Sequence, residues 1–221
     1  RNWAKSCVLL AWSIVVLWFT AIDGDTSNAH IVELVLGLGV GILVIPALAA
    51  KYWLKEPLDY SWVHGRWTLK MWLWLPGGFV LAFIILWLYF NIFTPELHHS
   101  WPLPLEGDRS EAMWRLFWGC NFVGIWDELA WINFAFVLIA RHFKFWEANI
   151  AQAVFFTVFL YDMAFVGIGP IVIYAFALIQ GYTYQKTQSL LYILILHLMI
   201  DTILFYMIVN RWYPGIGWHP F

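Results

Sequence analysis

Four carboxylates and one histidine lie inside otherwise apolar runs of this chain: Asp127, Glu128, Asp162, His197 and Asp201. A charged group within a membrane span costs about 2.5–3.5 kcal/mol on insertion scales, which makes each a candidate functional residue. His197 and Asp201 are four apart, so they share one helix face. Asp127 and Glu128 are neighbours and point about 100° apart on a helix. One of that pair is expected to act directly, while the other accepts hydrogen bonds or points to an adjoining helix. Carboxylates crowded in a low dielectric suit a general base or a proton carrier. The residue types would also accommodate one divalent metal among the buried acids and the histidine. The bland reading is a polar network that only holds helices together. Five such groups on three apolar runs weigh against it.

Composition says what must position them. Of 221 residues, 62% are hydrophobic and 12% charged, and Trp alone numbers 17. Soluble domains run at about 45–50% apolar and ~25% charged, and a sphere of this size could not hide so much apolar side chain. The chain reads as an all-α, polytopic membrane protein. A formal charge of −2 excludes a polybasic nucleic-acid binder. Cys7 and Cys120 sit in apolar runs and imply no disulfide framework. The first run lacks a small-residue cleavage site, so a retained span is expected there, not a cleaved leader.

A bilayer core takes about 20 apolar residues per helix. Seven runs qualify, at 4–22, 31–50, 72–94, 116–140, 148–168, 170–185 and 188–209, with Gly167-Ile168-Gly169-Pro170 marking the turn before the sixth. Nine of the 12 Lys and Arg residues fall on one side of this arrangement, and Arg109, Arg115 and Arg211 fall on the other. The bias puts the N-terminus in the cytoplasm and the C-terminus outside, in the inner membrane. Tryptophans are expected at headgroup depth: Trp53, Trp62, Trp67, Trp72 and Trp74 on one side, and Trp101, Trp114, Trp118, Trp212 and Trp218 on the other.

Order along the chain adds a resemblance. The fourth run reads Gly124-Ile125-Trp126-Asp127-Glu128-Leu129-Ala130-Trp131-Ile132-Asn133. The last opens Thr187-Gln188-Ser189-Leu190-Leu191 and continues to His197-Leu198-Met199-Ile200-Asp201. Paired acids mid-helix, then a helical hairpin, then His-x3-Asp resemble the CPBP family, the CAAX prenyl protease and bacteriocin-processing (Abi) intramembrane proteases. The resemblance covers about residues 120–205. It implies a four-helix catalytic core in which a glutamate activates water against a peptide bond, histidines assist, and the last motif residue holds the oxyanion. The family motifs Glu-Glu-x3-Arg, Phe-x3-His and His-x3-Asn/Asp map here onto Asp127, Glu128 and Ile132, onto Phe159 and Met163, and onto His197 and Asp201. Asp162 stands one step before the position of the missing histidine, where it would take over that role.

The expected organisation is three N-terminal spans over 1–115, a CPBP-like core over 116–209 and a short aromatic tail over 210–221. Two functions compete. One is a divergent intramembrane endopeptidase that cuts a membrane-proximal peptide with a carboxylate-activated water. The other is a non-catalytic accessory or scaffold subunit of a larger membrane complex, possessing the family's polar network and packing its aromatic surface on partner helices or pigments. The expected partners are the lipid bilayer with either a membrane peptide substrate or partner transmembrane helices, and no nucleic acid.

Overall fold

The computed structural model describes residues 2–25, 27–58, 62, 66–163 and 165–215, with the backbone alone at Asn2 and Asp162. Every regular element among them is helical. Seven rods follow in order: α1 (Asn2–Phe19), α2 (Asn28–Leu54), α3 (Leu69–Phe93), α4 (Arg109–Ala140), α5 (Phe145–Asp162), α6 (Gly169–Thr187) and α7 (Leu190–Trp212). Four of them, α2, α3, α4 and α7, are long and apolar enough to cross a membrane, and α1 contains a shorter apolar helix. The protein is all-α and built for a bilayer, and the seven rods are compatible with the seven expected spans.

Local chemistry sets the ends. Asp108 Oδ1 accepts from the backbone N–H groups of Ser110 and Glu111, at 2.9 and 3.2 Å, and so caps α4. The helix therefore starts two turns before the apolar run, because its first turns are polar and lie outside any hydropathy window. At the other end of the chain, α7 continues through Trp212 and takes in the first residues of the expected tail. The rest of that tail from 216, with Trp218, lies outside the described residues. The fifth run ends early: α5 stops at Asp162, which is therefore the last helical residue and not a mid-span one. Pro170, in the first turn of α6, starts the next helix.

Wide-pitched π-helical stretches interrupt three of the rods, at Val35–Val44 and Ala50–Leu54 in α2, Tyr89–Phe93 in α3 and Glu128–Phe136 in α4. The last begins at the second acid of the Asp127-Glu128 pair. Such bulges occur disproportionately at functional sites, since the wider turn re-aims side chains.

The helices α4 and α3 both pack against α7, α5 lies along α6 and against the wide stretch of α4, and α1 packs on α2. Hydrogen bonds lock the α5–α6 hairpin. Asn149 Nδ2 donates to Leu178 O at 3.0 Å, and Gln152 Nε2 donates to Ala177 O and Asn149 Oδ1, both at 2.9 Å. With no water competing at this depth, an unmade bond of this kind would cost several kcal/mol. The connection between the two helices is pinned by Tyr89 of α3, whose hydroxyl donates to Val166 O at 2.6 Å. Trp53, Trp72, Trp114 and Trp118 are exposed, as an aromatic belt requires. Trp101 is not: it is buried, with its ring against Phe165 at 5.6 Å, so it packs the α5–α6 connection and does not anchor the surface.

The α5–α6 contact is close enough that a Cβ on Gly181 would overlap Asn149 Oδ1. Gly181→Ala is expected to lower stability by ~1–3 kcal/mol through this overpacking, read as a lowered midpoint of thermal unfolding in mild detergent.

Candidate active site

The residues of the fourth and seventh apolar runs meet. Asp127 is the last α-helical residue of α4 before the wide stretch, and Glu128 is the first residue within it. His197 and Asp201 come from one face of α7. All four are buried. Nδ1 of His197 donates to Glu128 Oε1 at 2.7 Å, which leaves Nε2 directed at the other two acids. Nε2 lies 3.8 Å from Asp127 Oδ2 and 3.7 Å from Asp201 Oδ1. Both separations exceed a direct hydrogen bond and suit a shared third atom between the groups. Asp127 Oδ1 accepts from Trp131 Nε1 at 3.2 Å, one turn further along. The imidazole sits between the rings of Phe176 and Phe156, at 5.2 and 6.0 Å.

The two adjacent acids thus address the same ring from different sides. Glu128 takes Nδ1 and lies behind the histidine. Asp127, His197 and Asp201 line a cleft of about 410 Å³, whose remaining wall is largely apolar and comes mostly from α3, α4, α6 and α7. Leu81, Ile85 and Leu86 contribute from α3, and Phe176 and Ile179 from α6. A few polar groups converging in a largely apolar cleft is the usual form of a ligand-binding pocket.

Two further residues complete the site. Gln180 of α6 is buried and lines the cleft. Its Nε2 donates to Glu128 Oε1 at 2.6 Å, and more weakly to Ile193 O at 3.4 Å. Glu128 is therefore held by two donors and cannot swing away from His197. The sequence signal for Gln180 is that an amide interrupts the most apolar stretch of α6. The other is Gly124, one turn before Glu128: a Cβ there would overlap Asp201 Oδ2 and come within 3.3 Å of His197 Cδ2. The absent side chain is what lets α7 bring its acid against α4.

Residues 109–203 match the family model described as type II CAAX prenyl endopeptidase Rce1-like. Over that segment, a little under half of its length, the chain is similar to the CPBP family. No curated protein and no solved structure matches the chain. The matched segment runs from the first residue of α4 into α7 and holds all four clustered residues. Two family positions depart from the motif. Met163 lines the cleft where the motif has histidine. Ile132 stands where the motif has arginine and is fully buried in the cluster that includes Ala148, Tyr184 and Ile193. The side chain of Asp162 lies outside the described residues, and its expected part in the site with it.

The donor set among the described residues does not fit a divalent metal. Among the described residues no group of three or more His, Cys, Asp or Glu side chains is arranged to hold one. His197 has one nitrogen engaged by Glu128, and its second is flanked by only two acids at 3.7–3.8 Å.

Gly124→Ala is expected to push Asp201 and His197 from their positions and to lower stability by ~1–3 kcal/mol. Gly119→Ala, on the same helix with open space around it, should be neutral or stabilising by up to ~1 kcal/mol. Thermal unfolding of the two variants side by side checks the pair.

Proposed function

We propose that the protein is an active endopeptidase working within the membrane. The proposal rests on one observation: His197 is fixed through Nδ1 by a buried carboxylate, while Nε2 faces an apolar cleft between two further carboxylates. A purely structural network would satisfy these groups against one another. Here Asp201 Oδ2 is buried without a hydrogen-bond partner, and the cleft-facing oxygens stand apart from Nε2.

In this reading a water held between Asp127 Oδ2 and His197 Nε2 attacks the carbonyl carbon of a scissile peptide bond. Asp127 accepts the water's proton, as the paired acid of the family motif implies. His197 Nε2 relays that proton from Asp127 to the departing amide nitrogen, and the peptide C–N bond breaks to give a carboxylic acid and an amine. Glu128 and Gln180 keep the imidazole in the required tautomer and orientation, in the manner of a buried carboxylate behind a catalytic histidine. Asp201 accepts a hydrogen bond from the attacking water and orients it. The low-dielectric walls strengthen each of these interactions.

The substrate would be a membrane-anchored peptide whose anchor lies in the apolar part of the cleft, and the family description makes a prenylated C-terminal peptide the first choice. The excess of Lys and Arg on one set of loops supports a cytoplasmic N-terminus and insertion in the inner membrane.

The test is cleavage of a quenched prenylated peptide by the protein reconstituted in vesicles. Asp127→Asn and His197→Ala should each lower kcat/KM by about 10²–10⁴-fold while the protein stays folded. Equal cleavage by both variants, or no cleavage by well-folded wild-type protein of any membrane-anchored peptide offered, would overturn the proposal in favour of a non-catalytic scaffold.

A further inference from the structure

A second cavity, of about 380 Å³, lies between α3 and α7 on the opposite side of their contact from the catalytic cleft. Successive residues of the two helices divide between the two spaces. Ala82, Leu86, Ile200 and Leu204 face the cleft, while Phe83, Trp87, Ile203 and Met207 line the second cavity. Its walls are apolar along most of their length. At one end they give way to Asn91, Asn210 and Arg211, at the C-terminal ends of α3 and α7. That is the depth at which a helix leaves the hydrocarbon for the headgroup layer.

The polar end is built and not incidental. Asn91 Nδ2 donates to Trp87 O at 2.8 Å, which turns Oδ1 towards Arg211. Arg211 Nη2 donates to that Oδ1 at 2.6 Å and to Phe90 O at 3.2 Å. Both partners are neutral, and no carboxylate pairs with Arg211 among the described residues. The carbonyl end of α7 offers it only a partial compensating charge. Asn210 Oδ1, on the same rim, is buried without a hydrogen-bond partner. The cavity therefore presents a positioned cation, an acceptor lacking a donor, and an apolar channel beneath them.

We infer that this cavity is a binding site for one anionic phospholipid with a hydroxyl-bearing headgroup. The phosphodiester sits on the Arg211 guanidinium, which is suited to forked recognition of phosphate oxygens. A headgroup hydroxyl donates to Asn210 Oδ1. One acyl chain runs between α3 and α7 past Phe83, Ile203 and Met207, and so fills the space behind the wall of the catalytic cleft. A zwitterionic choline lipid offers the phosphate without net negative charge and has no headgroup donor for Asn210, so it binds less well. The assignment does not depend on peptidase activity.

Native mass spectrometry of the purified full chain, released from micelles containing defined amounts of phosphatidylglycerol and phosphatidylcholine, tests this directly. Wild-type protein is expected to retain one phosphatidylglycerol, with about ten-fold preference over phosphatidylcholine. Arg211→Gln should abolish the preference, and Met207→Trp, which fills the channel, should abolish retention altogether. No preference in the wild type, an unchanged preference in a folded Arg211→Gln variant, unchanged retention in a folded Met207→Trp variant, or displacement of the lipid by millimolar inorganic phosphate would each overturn the inference.

Discussion

The buried hydrogen bond between His197 and Glu128 is the constraint around which the C-terminal half is arranged. It joins α7 to α4 in surroundings that exclude water, where an ionisable side chain is tolerable only if it is paired and hydrogen-bonded. Gln180 adds a third helix to the same carboxylate oxygen. The absent side chain at Gly124 brings α7 close enough for the bond to form, and the change of helical pitch at Glu128 allows two adjacent acids to reach opposite sides of one ring. Once Glu128 is committed to holding the histidine, Asp127 is the member of the pair left facing the cleft.

The remaining helices follow from that requirement. The α5–α6 hairpin supplies Gln180 and Met163, and its own amide hydrogen bonds from Asn149 and Gln152 keep it at a fixed height. Tyr89 reaches from α3 to hold the hairpin connection in place. The helix α3 lies outside the matched segment yet forms one wall of the cleft, so it takes part in shaping the space a substrate would occupy. The departures from the family motif fit the same arrangement. Ile132 fills its position with apolar volume where the family places a charge, and Met163 puts a soft, flexible side chain at the cleft where the family places a ring. The acids and the one remaining histidine must then carry out any chemistry without those two groups.

Much of the fold was legible before any contact was known. Seven apolar runs correspond to seven rods, since the length of a hydrophobic run is a local property that the bilayer reads directly. Boundaries were less legible where polarity and helicity part company. Asp108 starts α4 in polar sequence, and α5 stops at Asp162 although the apolar residues continue. Trp101 was misplaced by the same rule, because hydropathy gives the depth of a tryptophan but not whether another helix covers it.

The sequence alone determined the class of protein, the identity of the buried acids, and the shared face of His197 and Asp201, all of which depend on composition or on spacing within one helix. Only the tertiary structure decided which acid faces the cleft, that Gln180 belongs to the site, that Gly124 makes room for Asp201, and that Arg211 caps a second cavity. These are relations between helices far apart in the chain, set by the rotation and separation at which the rods pack, and no periodicity along a single segment encodes them.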